Sequence, residues 1–157
     1  RNITSSKAKI SLVMTVNSIN YRCISDMLEE WCDTNVVGIT FMFHTPLGTN
    51  DNLFISLKQR DKILDRIGQL KGEYGDFILL SDGMIEGMRS DNCKRFVGEN
   101  CVFKKMVMPL DPMGRVKQPC ILRDVDCSNC GCIQPYAFSL LLRNDFETMR
   151  VVLKTIG

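Results

Sequence analysis

Residues Ile10 to Val16 (ISLVMTV) are almost continuously apolar and rich in β-formers, the pattern of a strand buried on both faces in a parallel sheet. Asn20 can cap a helix in which Ile24, Met27, Leu28 and Trp31 recur at i, i+3, i+4 and i+7, on one face. A second buried run follows at Val36 to Phe43 (VVGITFMF). Ser56 and Gln59 form the S-x-x-Q pattern of a capping box, and Ile63, Leu64, Ile67 and Leu70 make the stripe of a second helix that ends near Gly72 and Gly75. Phe77 to Leu80 (FILL) reads as a third strand, and Ser81 to Met88 as a short helix. Strand, helix, strand, helix, strand is a pair of βαβ units, and right-handed crossovers make it a parallel sheet with outer helices. Two units do not close a barrel, which needs about eight strands, but they can form an arc of one.

From Cys93 onward the character changes. Lys105 to Leu110, Asp111-Pro112-Met113-Gly114 and Arg115 to Gln118 read as a β-hairpin, with Pro109 at an edge position. Asn144 and Glu147 can cap a closing helix with Phe146, Met149 and Leu153 inward and Gly157 as its stop. The expected fold class is therefore α/β: a parallel βαβαβ arc of a partial TIM-type barrel over residues 1–90, then a small Cys-rich hairpin module and a terminal helix over residues 91–157. A module of that size rarely builds an adequate core without staples or a metal.

Composition adds little to this picture except at one residue type. The 157 residues are 45% apolar and 24% charged, as in an ordinary globular chain. A formal charge of +2 gives no global electrostatic case for nucleic acid, and no apolar run approaches the ~18 residues of a membrane span. A cytoplasmic location is the matching expectation. His44 is the only histidine, which removes zinc sites built on several imidazoles. Cysteine is the exception: there are 8, with Cys120, Cys127, Cys130 and Cys132 inside one short stretch.

The C-x-x-C step from Cys127 to Cys130 lets two thiolates face one ion, and a hairpin returns Cys101 and Cys120 toward each other at its open end. Thiolates converging without histidine select an iron–sulfur cluster or zinc, and spacing does not separate the two. There are five candidates, Cys101, Cys120, Cys127, Cys130 and Cys132, for four places; Cys132 is only two residues from Cys130 and is the natural spare. Cys93 can stand in for Cys101, while Cys23 and Cys32 read as core filling. Disulfides remain a third use of the thiols. Met14, Met42, Met84, Met106 and Met108 also read as core filling, and Asp82 and Glu86 as helix N-terminal charges.

The Cys101-x12-Gly114-x5-Cys120 segment, with Pro119 before Cys120 and Cys127-x2-Cys130-x-Cys132 after it, resembles the auxiliary-cluster region of radical SAM enzymes, the SPASM or twitch extension. Upstream, LVMTVNSIN from Leu12 to Asn20, then Val37-Gly38-Ile39 and FHTPLG from Phe43 to Gly48, looks like the last βα units of the radical SAM partial barrel. The resemblance runs from about residue 10 to 135. It implies one auxiliary 4Fe–4S cluster that anchors substrate or passes electrons; on the ligand set alone, a structural four-Cys zinc site in an α/β binding module is the alternative. It also implies S-adenosylmethionine at the carboxyl ends of the strands, lined by Thr15, Asn17, Phe43, His44 and Thr45. Read without the resemblance, Asn17 and Asn20 are turn and cap residues and His44 is a loop residue. The C-x-x-x-C-x-x-C motif of the radical-generating cluster is absent, so the chain is expected to be the C-terminal part of an oxidoreductase, inactive alone. Substrates of that family include peptides, lipids and small molecules, and a ferredoxin or flavodoxin is the kind of reductant implied.

Overall fold

β1 (Ile10–Val16) and β2 (Val36–Phe43) pair in parallel, in register from Ser11 opposite Gly38 to Val16 opposite Phe43. Parallel neighbours cannot be joined by a tight turn, and the connection runs through α1 (Ile24–Trp31). The structure is a computed structural model and describes residues 9–48, 50–117 and 125–156. Leu12, Met14 and Val16 share a sheet face with Ile39, Phe41 and Phe43, and that face joins Ile24 and Leu28 of α1 and Ile63, Leu64 and Ile67 of α2 (Leu57–Tyr74) in the core. The opposite face carries Ser11, Val13 and Thr15 beside Gly38, Thr40 and Met42. Val13 is 60% exposed, so β1 is buried on one face and not on two. Its second face borders an open cleft of about 390 Å³ shared with α5 (Gln134–Leu141) and α6 (Phe146–Ile156).

The third expected strand is reduced to one bridge. Ile78 pairs with Ile39 in parallel, and Leu79 N–H donates to the Ile39 carbonyl at 2.8 Å. Helical turns on both sides limit it: Phe77 ends a 3-10 turn, and the Ser81 hydroxyl accepts from Met84 N–H to start α3 (Asp82–Gly87). The described fold is thus mixed α/β with a two-stranded parallel sheet. Gly38 is where the third segment comes closest: a Cβ there would lie 2.5 Å from the Phe77 carbonyl oxygen.

Several local expectations hold. The Ser56 hydroxyl caps α2 by accepting from Gln59 N–H, and Gly75 closes that helix at φ 54°, a conformation that costs a glycine little. The 111–114 turn exists: Gly114 sits at φ 75°, Leu110 bridges Val116 antiparallel, and the Asp111 carboxylate accepts from Met113 N–H and Arg115 N–H.

Others differ. Asn20 does not cap with its side chain; its Oδ1 accepts from Asn17 N–H and its Nδ2 donates to the Thr15 carbonyl, which ties up the turn after β1. Lys105 and Met106 lie in a short helix, α4 (Val102–Met106), so the hairpin is shorter than expected. In α6 the inward residues are Thr148, Val151 and Val152, whereas Phe146 and Leu153 are 82% and 63% exposed. Asp145 and not Asn144 caps α6, its carboxylate accepting from Thr148 N–H at 2.7 Å. α5 was not expected, because its sequence is apolar all round and shows no stripe. Met106 and Met108 are exposed and Cys23 is exposed, so these three are not core filling. Gly157, proposed as the final stop, lies outside the described residues.

One buried cluster takes residues from both sides of position 90. Met14, Phe41 and Leu64 belong to it, and so do Cys93, Phe96, Val97, Ile133, Tyr136 and Ala137.

Candidate functional site

The carboxyl end of β2 continues into a loop that runs beside the segment from Val125 to Gly131. Leu47 bridges Val125 antiparallel, and Asp126 N–H donates to the Pro46 carbonyl at 3.0 Å. Phe43 N–H donates to the Gly131 carbonyl, and Gly131 N–H to the Thr45 hydroxyl, both at 2.9 Å. Gly131 lies so close to the strand end that a Cβ would fall 2.0 Å from the Phe43 carbonyl oxygen. Only a glycine permits that approach, and it seats the C-x-x-C-x-C run on the carboxyl edge of the parallel pair. In α/β folds ligand sites gather at that edge.

Each thiol has a definite position. Cys127 opens a 3-10 turn, Cys127–Asn129, whose cap is the Asp126 side chain; Asp126 accepts from Ser128 and Asn129, and these hydrogen bonds hold its carboxyl below the usual range. A second 3-10 turn, Gly98–Asn100, packs against the first and ends at Cys101. Gly98, at φ 63°, makes the approach: its Cβ position is 3.8 Å from Ser128 Cα. Cys101 and Cys127 therefore sit on two turns in contact. The Thr45 hydroxyl donates to Cys130 Sγ at 3.8 Å. Cys132 is half-buried one residue beyond Gly131. Cys93 is buried, with its thiol donating to the Ser90 carbonyl. Cys120 and the preceding Pro119 lie outside the described residues. Among the described residues, no disulfide joins two cysteines, and no three His, Cys, Asp or Glu side chains are close enough to hold a metal ion. The donor chemistry, thiols without imidazole, nevertheless fits a cluster or zinc better than a hard cation.

The five rim residues separate into two groups. Phe43 and Thr45 are buried under the Cys130–Gly131 backbone. Thr15 is exposed, and Asn17 and His44 are half-buried. Asn17 Oδ1 accepts from Ile19 and Asn20 N–H, the turn role its residue type suggests. His44 Nε2 lies 2.7 Å from Asp51 Oδ2. The Asp51 carboxylate also accepts from Leu47 and Leu53 N–H, so His44 first and then these amides bring its pKa from 3.8 to about 2. Asp82 is paired with Lys71 at 2.6 Å and Glu86 with Arg89 at 2.7 Å, so both act as surface charges.

Two buried groups at this edge escaped sequence reasoning. Arg60 of α2 is 1% exposed, its Nη atoms 3.3 Å from the Cys130 carbonyl and 3.4 Å from the Asn129 carbonyl, and its guanidinium 4.8 Å over the Phe43 ring. Tyr136 of α5 is fully buried, and burial pushes its hydroxyl well above the ordinary tyrosine range. Arg60 had one visible signal: it precedes Ile63, Leu64 and Ile67 by three, four and seven positions, a charge on the apolar stripe of α2.

Comparison of the chain with protein-family models, with curated proteins and with solved structures finds no match.

Proposed function

We propose that this chain is the C-terminal part of a radical SAM enzyme, in which cysteines drawn from Cys101, Cys120, Cys127, Cys130 and Cys132 hold one auxiliary 4Fe–4S cluster beside the barrel edge. The observation that carries the reading is the seating of Gly131 on Phe43, which brings the C-x-x-C-x-C run to the carboxyl ends of parallel strands. The packed turns that bear Cys101 and Cys127 support it further. The β1–α1–β2–α2 order, with Ile78 bridged beyond β2, is what an arc of a partial barrel needs. Such a cluster, when bound, supplies one-electron chemistry or an open iron for substrate. The chain's own residues would seat it, exclude water with Phe43 and Phe96, and present Thr15, Asn17 and His44 to S-adenosylmethionine at the rim. The radical-generating cluster would have to come from outside these residues, because its motif is absent from them.

Anaerobic reconstitution with iron and sulfide tests the reading. The expected product is brown, with iron and acid-labile sulfide in equal amounts. Cys101→Ala and Cys127→Ala should each lose most of the iron, and Cys23→Ala, at an exposed position on the first helical turn, should keep it. A colourless protein with one tightly held zinc would favour the structural-zinc module. Full iron content in both ligand variants would reject the assigned thiols.

A further inference from the structure

Arg60 is the least expected residue of the core. It lies on the buried stripe of α2, its surroundings include the thiols of Cys93 and Cys130 and the Tyr136 hydroxyl, and none of the ion pairs among the described residues includes it. Its Nε and the Tyr136 hydroxyl are both buried without a hydrogen-bond partner, and both belong to residues at most 1% exposed. Two carbonyls and a ring face satisfy part of the guanidinium but carry no countercharge. A buried cation in that state is costly, and a carboxylate partner is the usual remedy. Here the one carboxylate among the groups around it, Asp61, accepts from the Ser90 amide and hydroxyl and forms no ion pair with it, and the other candidate anions include the sulfurs of Cys93 and Cys130. Burial lowers the Arg60 pKa, and Tyr136, Cys93 and Cys130 are among the groups that oppose the shift.

We infer that Arg60 is a positioning residue for the metal centre: its two Nη atoms pin the Asn129–Cys130 backbone to α2, and its charge balances the thiolates gathered there when they hold a cluster. The inference rests on the cluster reading for its charge-balancing half only. The pinning half concerns the chain by itself. The arginine fork serves both purposes, since one planar cation donates to two adjacent carbonyls while its face lies on Phe43.

Two variants of the 157-residue chain separate the halves. Arg60→Lys keeps the charge and loses the fork; Arg60→Gln loses the charge. Hydrogen exchange of the 127–131 amides in the metal-free protein should accelerate at least tenfold in both variants, while exchange in β1 stays as in the wild type. The reduction potential of the reconstituted cluster should fall only in Arg60→Gln, because loss of a nearby positive charge disfavours the more negative reduced state. A tenfold loss of preference for that state corresponds to about 59 mV for one electron. Arg60→Met, which keeps the length and the ring contact, replaces Arg60→Gln if the latter does not fold. Wild-type exchange in the 127–131 segment of both variants overturns the pinning. An unchanged potential in the neutral variant overturns the charge role. A wild-type protein that takes up no iron overturns the cluster reading and the charge role with it, and leaves the exchange result to decide the pinning alone.

Discussion

At the scale of single residues, the β2–α2 loop is organised by one carboxylate. Asp51 accepts from His44 Nε2 and from the Leu47 and Leu53 amides, so the loop closes on itself beside the strand end. Because the folded pKa, about 2, is below the ordinary 3.8, the ionised form is favoured by folding. That stabilisation is fully present above the unfolded value and is lost as pH falls through the folded one. Urea midpoints measured from pH 5 down to pH 2 should therefore decline across the lower part of that range, and Asp51→Asn should flatten the decline. A variant with the wild-type slope would show that this carboxylate does not set acid stability. The same scale explains why Asn17 holds the turn its residue type suggests, and why Asn20, read as a helix cap, instead closes that turn: their short amides bond local backbone. Asp51 and Arg60 were not legible in their roles, since both are defined by partners distant in sequence or by a loop conformation.

Between elements, the decisive contact is a backbone one. Gly131 occupies a gap in which Phe43 leaves no room for a methyl group, with carbonyl carbon, carbonyl oxygen and Cβ all within 2.8 Å of the added atom. Gly131→Ala should destabilise the fold by about 3 kcal/mol, the upper end of what overpacking costs in a rigid site, read as a lower urea midpoint at unchanged slope. Wild-type stability would mean that the 125–131 segment moves off the strand without cost. Helices were legible where a stripe faced one neighbour, as in α2, and illegible where neighbours lay all round, as in α5. The closing helix was found but rotated: Thr148, whose hydroxyl meets the buried Ser81 hydroxyl at 2.6 Å, faces inward, and Phe146 does not. A polar pair inside a helix interface defeats an apolar-stripe argument, because a satisfied hydroxyl is buried at little cost.

Across the molecule, one core joins the parallel pair to the Cys-bearing half. The Phe96 and Tyr136 rings meet at a tilt of 41° with centroids 5.2 Å apart, and both belong to the cluster that contains Phe41 and Leu64. Unfolding followed by Trp31 fluorescence, which reports α1, and by exchange in α5 should then give coincident midpoints, as expected for one cooperative unit. Separate transitions would instead mean that residues after about position 90 melt on their own. No helix among the described residues is long and apolar enough to cross a membrane.

The local pattern of the chain determined the parallel βαβ start, the cap of α2, the short helix α3, the Asp111–Gly114 turn and the presence of a thiol-rich segment. Each rests on residues a few positions apart, whose spacing carries the physics. Only tertiary structure decided that this segment lies on the carboxyl edge of the strands, that α2 contributes a buried cation to it, and that FILL makes one bridge rather than a strand. Those outcomes depend on close approach between residues 70 or more positions apart, on a glycine with no room for a methyl group and on two helical turns that leave no length for a ladder. Chain spacing does not encode such distances.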